Sequence, residues 1–270
     1  MTKLLGVIGD PIAHSMSPLI HNGWLRDMGF NATYEAMHVP EGAFESALQT
    51  LSKRDILGVN VTLPHKHAAL AASSEASVEA ATIGAANTLS YLGQQKWRAD
   101  NTDAPGFLAA LGAADPDTDR VVIMGAGGSA RALVFALAQS GFPITVLNRT
   151  ISKAEALCSE LGNDKTVYGA MSQYKDHIES ATIVINTTSM GYDGNIIDLP
   201  VGADRLFFDI SYGKTAAPQI AHAAARGWRT RDGLTMLVAQ AACSFEIWFG
   251  EKPDQAAAQR RCEIALRAVS

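Results

Sequence analysis

The sequence predicts an α/β protein in two domains, the second built on a doubly wound parallel sheet. Three observations predict it. At 270 residues the chain exceeds the roughly 100–150 that usually share one hydrophobic core. Short apolar runs alternate with helical stretches in both halves, the pattern of strands layered against helices. Only from residue 120 onward does that alternation begin with a strand, a glycine-rich turn and a helix, the opening of a parallel, ligand-binding sheet.

Taken in order, apolar and β-branched runs predict strands over 4–8, 33–39, 58–63 and 88–92, with helices near 18–28 and 41–53. Ser17 before Pro18 reads as an N-cap followed by proline at the first helical position. A polar stretch over 113–119 precedes the apolar run Val121-Val122-Ile123-Met124. From there the pattern predicts a helix over 129–140, a strand over 144–147, a helix over 152–161 and strands over 182–186 and 206–210. Two long amphipathic helices, 234–250 and 253–269, close the chain with no further strand. The second domain then already has its strands, so these helices are expected to pack back on the first. The expected limits are 1–103 plus 234–270 for one domain and 104–233 for the other.

Composition narrows the function. A formal net charge of -5 gives no general attraction to nucleic acid or to an anionic membrane. No apolar run approaches the roughly 20 residues of a membrane helix, and residues 1–8 lead into a strand instead of a signal-peptide start. A cytoplasmic location is expected, with a small molecule as partner and a monomer or homodimer as the assembly. Cys158, Cys243 and Cys262 are far apart and read as packing positions. The spacings of His14, His21, His65 and His67 do not resemble HExxH, so no metal is expected.

Gly125-Ala126-Gly127-Gly128-Ser129-Ala130 is a G-x-G-x-x-A form of the dinucleotide fingerprint, with a strand before it and a helix after. Small residues let the backbone turn sharply and approach a pyrophosphate, whose charge faces a helix N-terminus. The domain is therefore expected to be of the Rossmann type. At the end of its second strand, an NAD-binding fold normally carries an acidic residue for the ribose hydroxyls. Here stand Asn148-Arg149-Thr150, with Lys153 one helical turn on. A guanidinium beside a neutral amide binds a 2′-phosphate that a carboxylate would repel, so NADP is the expected cofactor. The plainer reading of Arg149 is a solvated cation after a strand.

The first domain carries polar groups in short, dense segments. Ser15 and Ser17, two apart before a helix, suit a carboxylate, although serine caps are common. Asn60 and Thr62 share one face of a strand, and Lys66 follows within reach. Taken alone, Lys66 would read as a surface lysine. Asn87-Thr88 and Asn101-Thr102-Asp103 add amides, hydroxyls and a carboxylate at other loop ends. Such groups suit a polyhydroxylated small molecule.

Together these residues resemble the shikimate dehydrogenase family, also described as shikimate/quinate dehydrogenases. The matching motifs are G-D-P-I-x-H-S-x-S-P-x-x-H-N at 9–22, N-V-T-x-P-x-K at 60–66, I-G-A-x-N-T at 83–88, N-T-D-x-x-G at 101–106 and G-x-x-M-L-x-x-Q-A at 233–241. The resemblance implies an NADP-dependent oxidoreductase that reduces 3-dehydroshikimate to shikimate in aromatic amino acid biosynthesis, with its active site between two domains. It implies that Ser15 and Ser17 bind the substrate carboxylate, and that Asn60, Thr62, Asn87 and Gln240 hold ring hydroxyls. Lys66 and Asp103 would be the catalytic pair. Thr187, Thr188, Ser189, Met190, Ile210, Gly233 and Met236 would line the nicotinamide side.

One motif departs from the family. The pattern D-x-x-Y-x-P-x-x-T stands here at 209–217 with Lys214 for Pro and Ala217 for Thr, while the substrate-facing Tyr212 is kept. The resemblance leaves two alternatives: a relative acting on quinate or an aminoshikimate, and a non-catalytic NADP-binding sensor. Two serines at the carboxylate site lean toward shikimate, because quinate-active relatives often carry a threonine there. A sensor would be expected to have lost Lys66 or Asp103.

Overall fold

A computed structural model describes residues 2–268, with the side chains of Tyr192 and Asp193 left out. The chain divides into two compact units, passing from one to the other between Gly106 and Phe107 and returning between Met236 and Leu237. Both transitions lie inside helices, and so no linker composition marks them.

The first unit runs β1 (Lys3–Gly9), α1 (Ser17–Asp27), β2 (Ala32–His38), α2 (Phe44–Leu51), β3 (Ile56–Val61), α3 (Lys66–Ala71), β4 (Glu75–Ala76), α4 (Val78–Ile83), β5 (Thr88–Gly93), β6 (Lys96–Asp100) and the start of α5 (Asp103–Leu111). Its sheet has the order β2-β1-β3-β5-β6-β4. The strands β2, β1 and β3 are parallel, whereas β5 runs antiparallel to both β3 and β6. This reversal positions the site. Asn60 near the end of β3 pairs with Thr88 at the start of β5, which pairs with Asp100 at the end of β6, so three polar segments meet at one sheet end. A core of Leu4, Ile8, Val59, Val61, Leu89 and Trp97 lies among the buried residues of this unit.

The second unit runs β7 (Val121–Met124), α6 (Gly128–Gln139), β8 (Ile144–Asn148), α7 (Ile151–Leu161), β9 (Thr166–Ala170), α8 (Tyr174–Glu179), β10 (Ile183–Asn186), β11 (Leu206–Asp209), α9 (Ala217–Ala225) and β12 (Arg229–Arg231). Every pairing is parallel, in the order β12-β11-β10-β7-β8-β9. The winding therefore reverses between β7 and β10, a topological switch point where ligands bind beyond the strand ends. Strands buried on both faces explain the near-continuous apolar runs, as in the fully buried Ile183–Asn186.

The chain then re-enters the first unit with α10 (Leu234–Phe249) and ends with α11 (Gln255–Ala268). Aromatic side chains tie α10 to α1: Phe245 meets Trp24 edge-on at 5.6 Å between centroids, and Trp248 lies 5.6 Å from His21.

The start of α1 differs from expectation. Met16 holds the cap position with near-helical dihedrals and no side-chain cap, Ser17 is already helical, and Pro18 sits in the first turn. The reason is local. Ser15 Oγ accepts the Ser17 N–H at 3.3 Å, and the Ser17 side chain is buried.

Candidate active site

In the first unit, short elements deliver a lysine and an aspartate to each other. Lys66 opens α3 and Asp103 opens α5. The turn before α3 is held by His65, whose Nε2 lies 2.7 Å from the Val39 carbonyl and whose ring stacks on Phe44. Asn101 holds the turn before α5, its Oδ1 accepting the N–H groups of Asp103 and Ala104 at 3.1 and 3.4 Å. Lys66 Nζ then donates to Asp103 Oδ2 at 2.6 Å. Only 9% of Lys66 and 5% of Asp103 are exposed, so each charge depends on the other for compensation.

Asn87 holds the other carboxylate oxygen. Its Nδ2 lies 2.9 Å from Asp103 Oδ1, 2.9 Å from Thr102 Oγ1 and 3.1 Å from Gln240 Oε1. The orientation of the amide is forced, because its Oδ1 accepts the Thr102 N–H at 2.7 Å and a backbone N–H can only donate. Gln240 is pinned likewise by its Nε2, which donates to the Leu237 carbonyl at 2.9 Å. The carboxylate is thus aimed from both sides.

Behind these groups lies a buried polar layer. Asn60 Nδ2 faces the Asn87 carbonyl, Thr88 Oγ1 and Ser244 Oγ at 3.2, 3.1 and 2.8 Å, and its Oδ1 accepts the Tyr34 hydroxyl at 2.7 Å. The hydroxyls of Thr88, Thr102 and Ser244 lie within 2.8–3.3 Å of one another. The Asn60 amide is therefore committed within the protein. Thr62 follows β3 half-buried, tied by its N–H to the Ile8 carbonyl at 2.9 Å. Ser15, also half-buried, stands one residue before the cap of α1.

In the second unit, Gly125 adopts φ +115, a region that favours glycine, and a Cβ there would collide with Thr187 Oγ1. Gly127 caps α6 without a side-chain hydrogen bond. A Cβ on Gly127 would meet nothing within 4 Å. Ala126, Gly128, Ser129 and Ala130 complete the turn into the helix. A helix N-terminus fronted by an open glycine is a site for an anionic group. Beyond β8, Asn148 Nδ2 donates to the Thr150 carbonyl at 2.9 Å, while Arg149, Thr150 and Lys153 are exposed. These two cations, with no carboxylate among residues 148–153, fit a dinucleotide carrying an extra phosphate.

Past the switch point, Thr188 donates its N–H and hydroxyl to Asn186 Oδ1 at 3.1 and 2.7 Å, and Asn186 Nδ2 donates to Asp209 Oδ2 at 2.9 Å. Burial pushes the Asp209 carboxyl up from its usual range, opposed by hydrogen bonds from Asn186 and Ser211. The segment from Ile210 to Tyr212 is held by Gly233, whose N–H donates to the Ser211 carbonyl at 2.8 Å. A side chain at Gly233 would run into the Ile210 carbonyl. Tyr212 precedes a 3-10 turn at Gly213–Thr215 in extended conformation. Ser189 is exposed, Met190 half-buried and Met236 buried.

Among the described residues there is no group of three or more His, Cys, Asp or Glu able to hold a metal ion, and no helix long and apolar enough to cross a membrane. Cys158, Cys243 and Cys262 are free thiols. Two polar residues of the buried layer, Tyr34 and Ser244, escape sequence reasoning. A lone tyrosine in a strand or serine in an apolar helix carries no local signal.

Residues 7–89 match the family model described as the shikimate dehydrogenase substrate binding domain, 108–224 that of shikimate / quinate 5-dehydrogenase, and 233–262 that of the shikimate 5'-dehydrogenase C-terminal domain. The chain is 46% identical over 272 residues to a shikimate dehydrogenase (NADP(+)) of Hyphomonas neptunium, covering 100% of both. It is 40% identical to one of Paracoccus denitrificans, covering 97% of this chain and 96% of the relative. Among solved structures, shikimate 5-dehydrogenase of Thermus thermophilus in complex with NADP(H) and shikimate is similar with a TM-score of 0.83 at 33% identity, covering 98% of this chain and 100% of that one.

Proposed function

The chain belongs to the shikimate dehydrogenase family, and on that premise we propose that it interconverts 3-dehydroshikimate and shikimate with NADP(H), in the biosynthesis of aromatic amino acids. The observation that carries the proposal is the buried Lys66–Asp103 pair at 2.6 Å, set among amides and hydroxyls suited to a polyhydroxylated ring.

The first unit takes the substrate and the second the dinucleotide. Ser15 and Ser17 bind the carboxylate, while Thr62, Asn87, Gln240 and Tyr212 address the ring hydroxyls with Asn60 behind them. The turn from Gly125 to Ala130 faces the pyrophosphate, Asn148, Arg149, Thr150 and Lys153 the 2′-phosphate, and Thr187, Thr188, Ser189, Met190, Ile210, Gly233 and Met236 the nicotinamide. When bound, NADPH supplies the hydride that reaches the ketone carbon. Lys66 stabilises the negative charge that develops on the carbonyl oxygen and delivers its proton there. Asp103 keeps the ammonium aimed, itself aimed by Asn87. In the reverse direction the neutral amine accepts the hydroxyl proton. The enzyme works as a cytoplasmic monomer or homodimer.

NADPH formation followed by absorbance tests the reading, with shikimate, with quinate and with no substrate. Turnover is expected with shikimate and to be slower with quinate. No turnover with shikimate would overturn the assignment, and faster turnover with quinate would move it to the quinate-active relatives.

A further inference from the structure

Gly9 ends β1 beside Thr62, the residue that follows β3, and no space is left between the two. A Cβ on Gly9 would run into Thr62 Cγ2, and would also stand 3.1 Å from Ile12 Cδ1 and 3.2 Å from the Leu63 carbonyl oxygen. The φ of Gly9 lies outside the left-handed region, so the strand backbone there would accept an ordinary residue. What calls for glycine is the threonine methyl. Both backbones are fixed: Gly9 pairs with His38 of β2, and its carbonyl accepts the Val39 N–H at 3.2 Å. Thr62 donates its N–H to the Ile8 carbonyl at 2.9 Å and accepts the His65 N–H at 3.0 Å, while the Asp10 N–H reaches the Leu63 carbonyl at 2.9 Å. Among the described residues the hydrogen bonds of Thr62 are all made by its backbone. Its hydroxyl thus differs from the amide of Asn60, whose partners lie within the protein.

We propose that Gly9 is a positioning residue for recognition of a ring hydroxyl: by leaving room for the Thr62 methyl, it fixes where the Thr62 hydroxyl points. The inference rests on the functional reading above, in which Thr62 addresses a hydroxyl of the substrate. The device is that of a β-branched side chain. Oγ1 and Cγ2 share one carbon and occupy neighbouring staggered wells, so a methyl seated over Gly9 leaves the oxygen a single direction. A side chain at position 9 would evict the methyl and turn the oxygen with it. Serine at position 62 would keep the oxygen and lose the constraint.

NADPH formation with shikimate tests this in three backgrounds. For Gly9→Ala, KM for shikimate is expected to rise about threefold to tenfold, the range for loss of one neutral hydrogen bond, with KM for NADP unchanged. Thr62→Val keeps the branched shape and removes the hydroxyl. Adding Gly9→Ala to it should leave KM for shikimate within about twofold of Thr62→Val, although the melting temperature falls as it does for Gly9→Ala alone. Adding Gly9→Ala to Thr62→Ser, which has no methyl to evict, should likewise change KM by less than about twofold. A wild-type KM for shikimate in Gly9→Ala, the same penalty in the Thr62→Val background, or a parallel rise in KM for NADP would each overturn the proposal. Should Gly9→Ala not accumulate as folded protein, Thr62→Ser alone carries the test: its KM should rise about threefold, one staggered well in three being the productive one, and an unchanged KM would overturn the proposal. Wild-type enzyme without activity on shikimate would instead remove the functional reading, and Thr62→Val with a wild-type KM would remove the place of Thr62 in it, so these failures are distinguishable from that of Gly9.

Discussion

Replacing Lys66 by methionine removes the ammonium while keeping much of the side-chain volume. At stake is a group that is 9% exposed and 2.6 Å from its counter-charge. A positioned proton donor contributes about 10²–10⁴ in rate, which corresponds to roughly 2.7–5.4 kcal/mol of barrier. Breaking a buried pair by removing one partner costs roughly 3–5 kcal/mol of stability. The low end is expected here, because Asn87 Nδ2 still holds Asp103 Oδ1 at 2.9 Å. Lys66→Met should therefore lose about 10²–10⁴ in kcat, with KM for shikimate within about threefold, when NADPH is followed at saturating cofactor. Because the pair acts as a unit, Lys66→Met/Asp103→Asn should fall no more than about threefold below Lys66→Met. Turnover within tenfold of the wild type, or a loss confined to KM, would refute the assignment of Lys66 as proton donor.

Gly127→Ala places a methyl group where the protein leaves open space, so the melting temperature should be unchanged while KM for NADP rises at least about fivefold; a fall in melting temperature would refute the separation of the two effects. Arg149→Ala should reduce the NADP over NAD preference in kcat/KM by about tenfold or more, the effect of about 1.4 kcal/mol of differential binding; an unchanged ratio would remove Arg149 from cofactor selection. Burial, which leaves the ring Nε2 without a hydrogen-bond partner, lowers the His21 pKa to about 3 from 6.5. The folded state thus keeps the ring neutral while the unfolded chain protonates it, so this contribution to stability is complete above about pH 6.5 and is lost as the pH falls toward 3. Urea unfolding between pH 6.5 and 5 should approach a slope of about 1.4 kcal/mol per pH unit from this group, and His21→Phe should flatten the curve; an unaltered slope would refute the reasoning.

Long periodic segments were legible in the sequence, and short ones were not. The alternation from Val121 to Asp209 gives the parallel sheet, because strands buried on both faces must be apolar throughout. The six-residue helices α3 and α4 and the two-residue β4 are too short to display a period. Met16, not Ser17, holds the cap of α1, a difference that follows because the capping preference weighs the helix end alone. Here Ser15 takes the first amide and the Ser17 side chain is buried. At the site, Lys66, Asn87 and Asp103 lie in dense motifs and were visible. The commitment of the Asn60 amide to Tyr34, Thr88 and Ser244 was not, since register and a helix from the far end of the chain create it.

That distant helix also bears on biogenesis. Gly106 lets the backbones of α5 and α10 approach closely, for a Cβ there would stand 2.8 Å from the Gln240 nitrogen. Asn87 and Asn60 find partners in Gln240 and Ser244, which lie 153 and 184 residues downstream of them. On the ribosome, a nascent chain that has emerged only as far as residue 230 presents Lys66 and Asp103 with this polar scaffold unfinished. Competence for chemistry thus arrives late in translation, after the intervening unit has been synthesised.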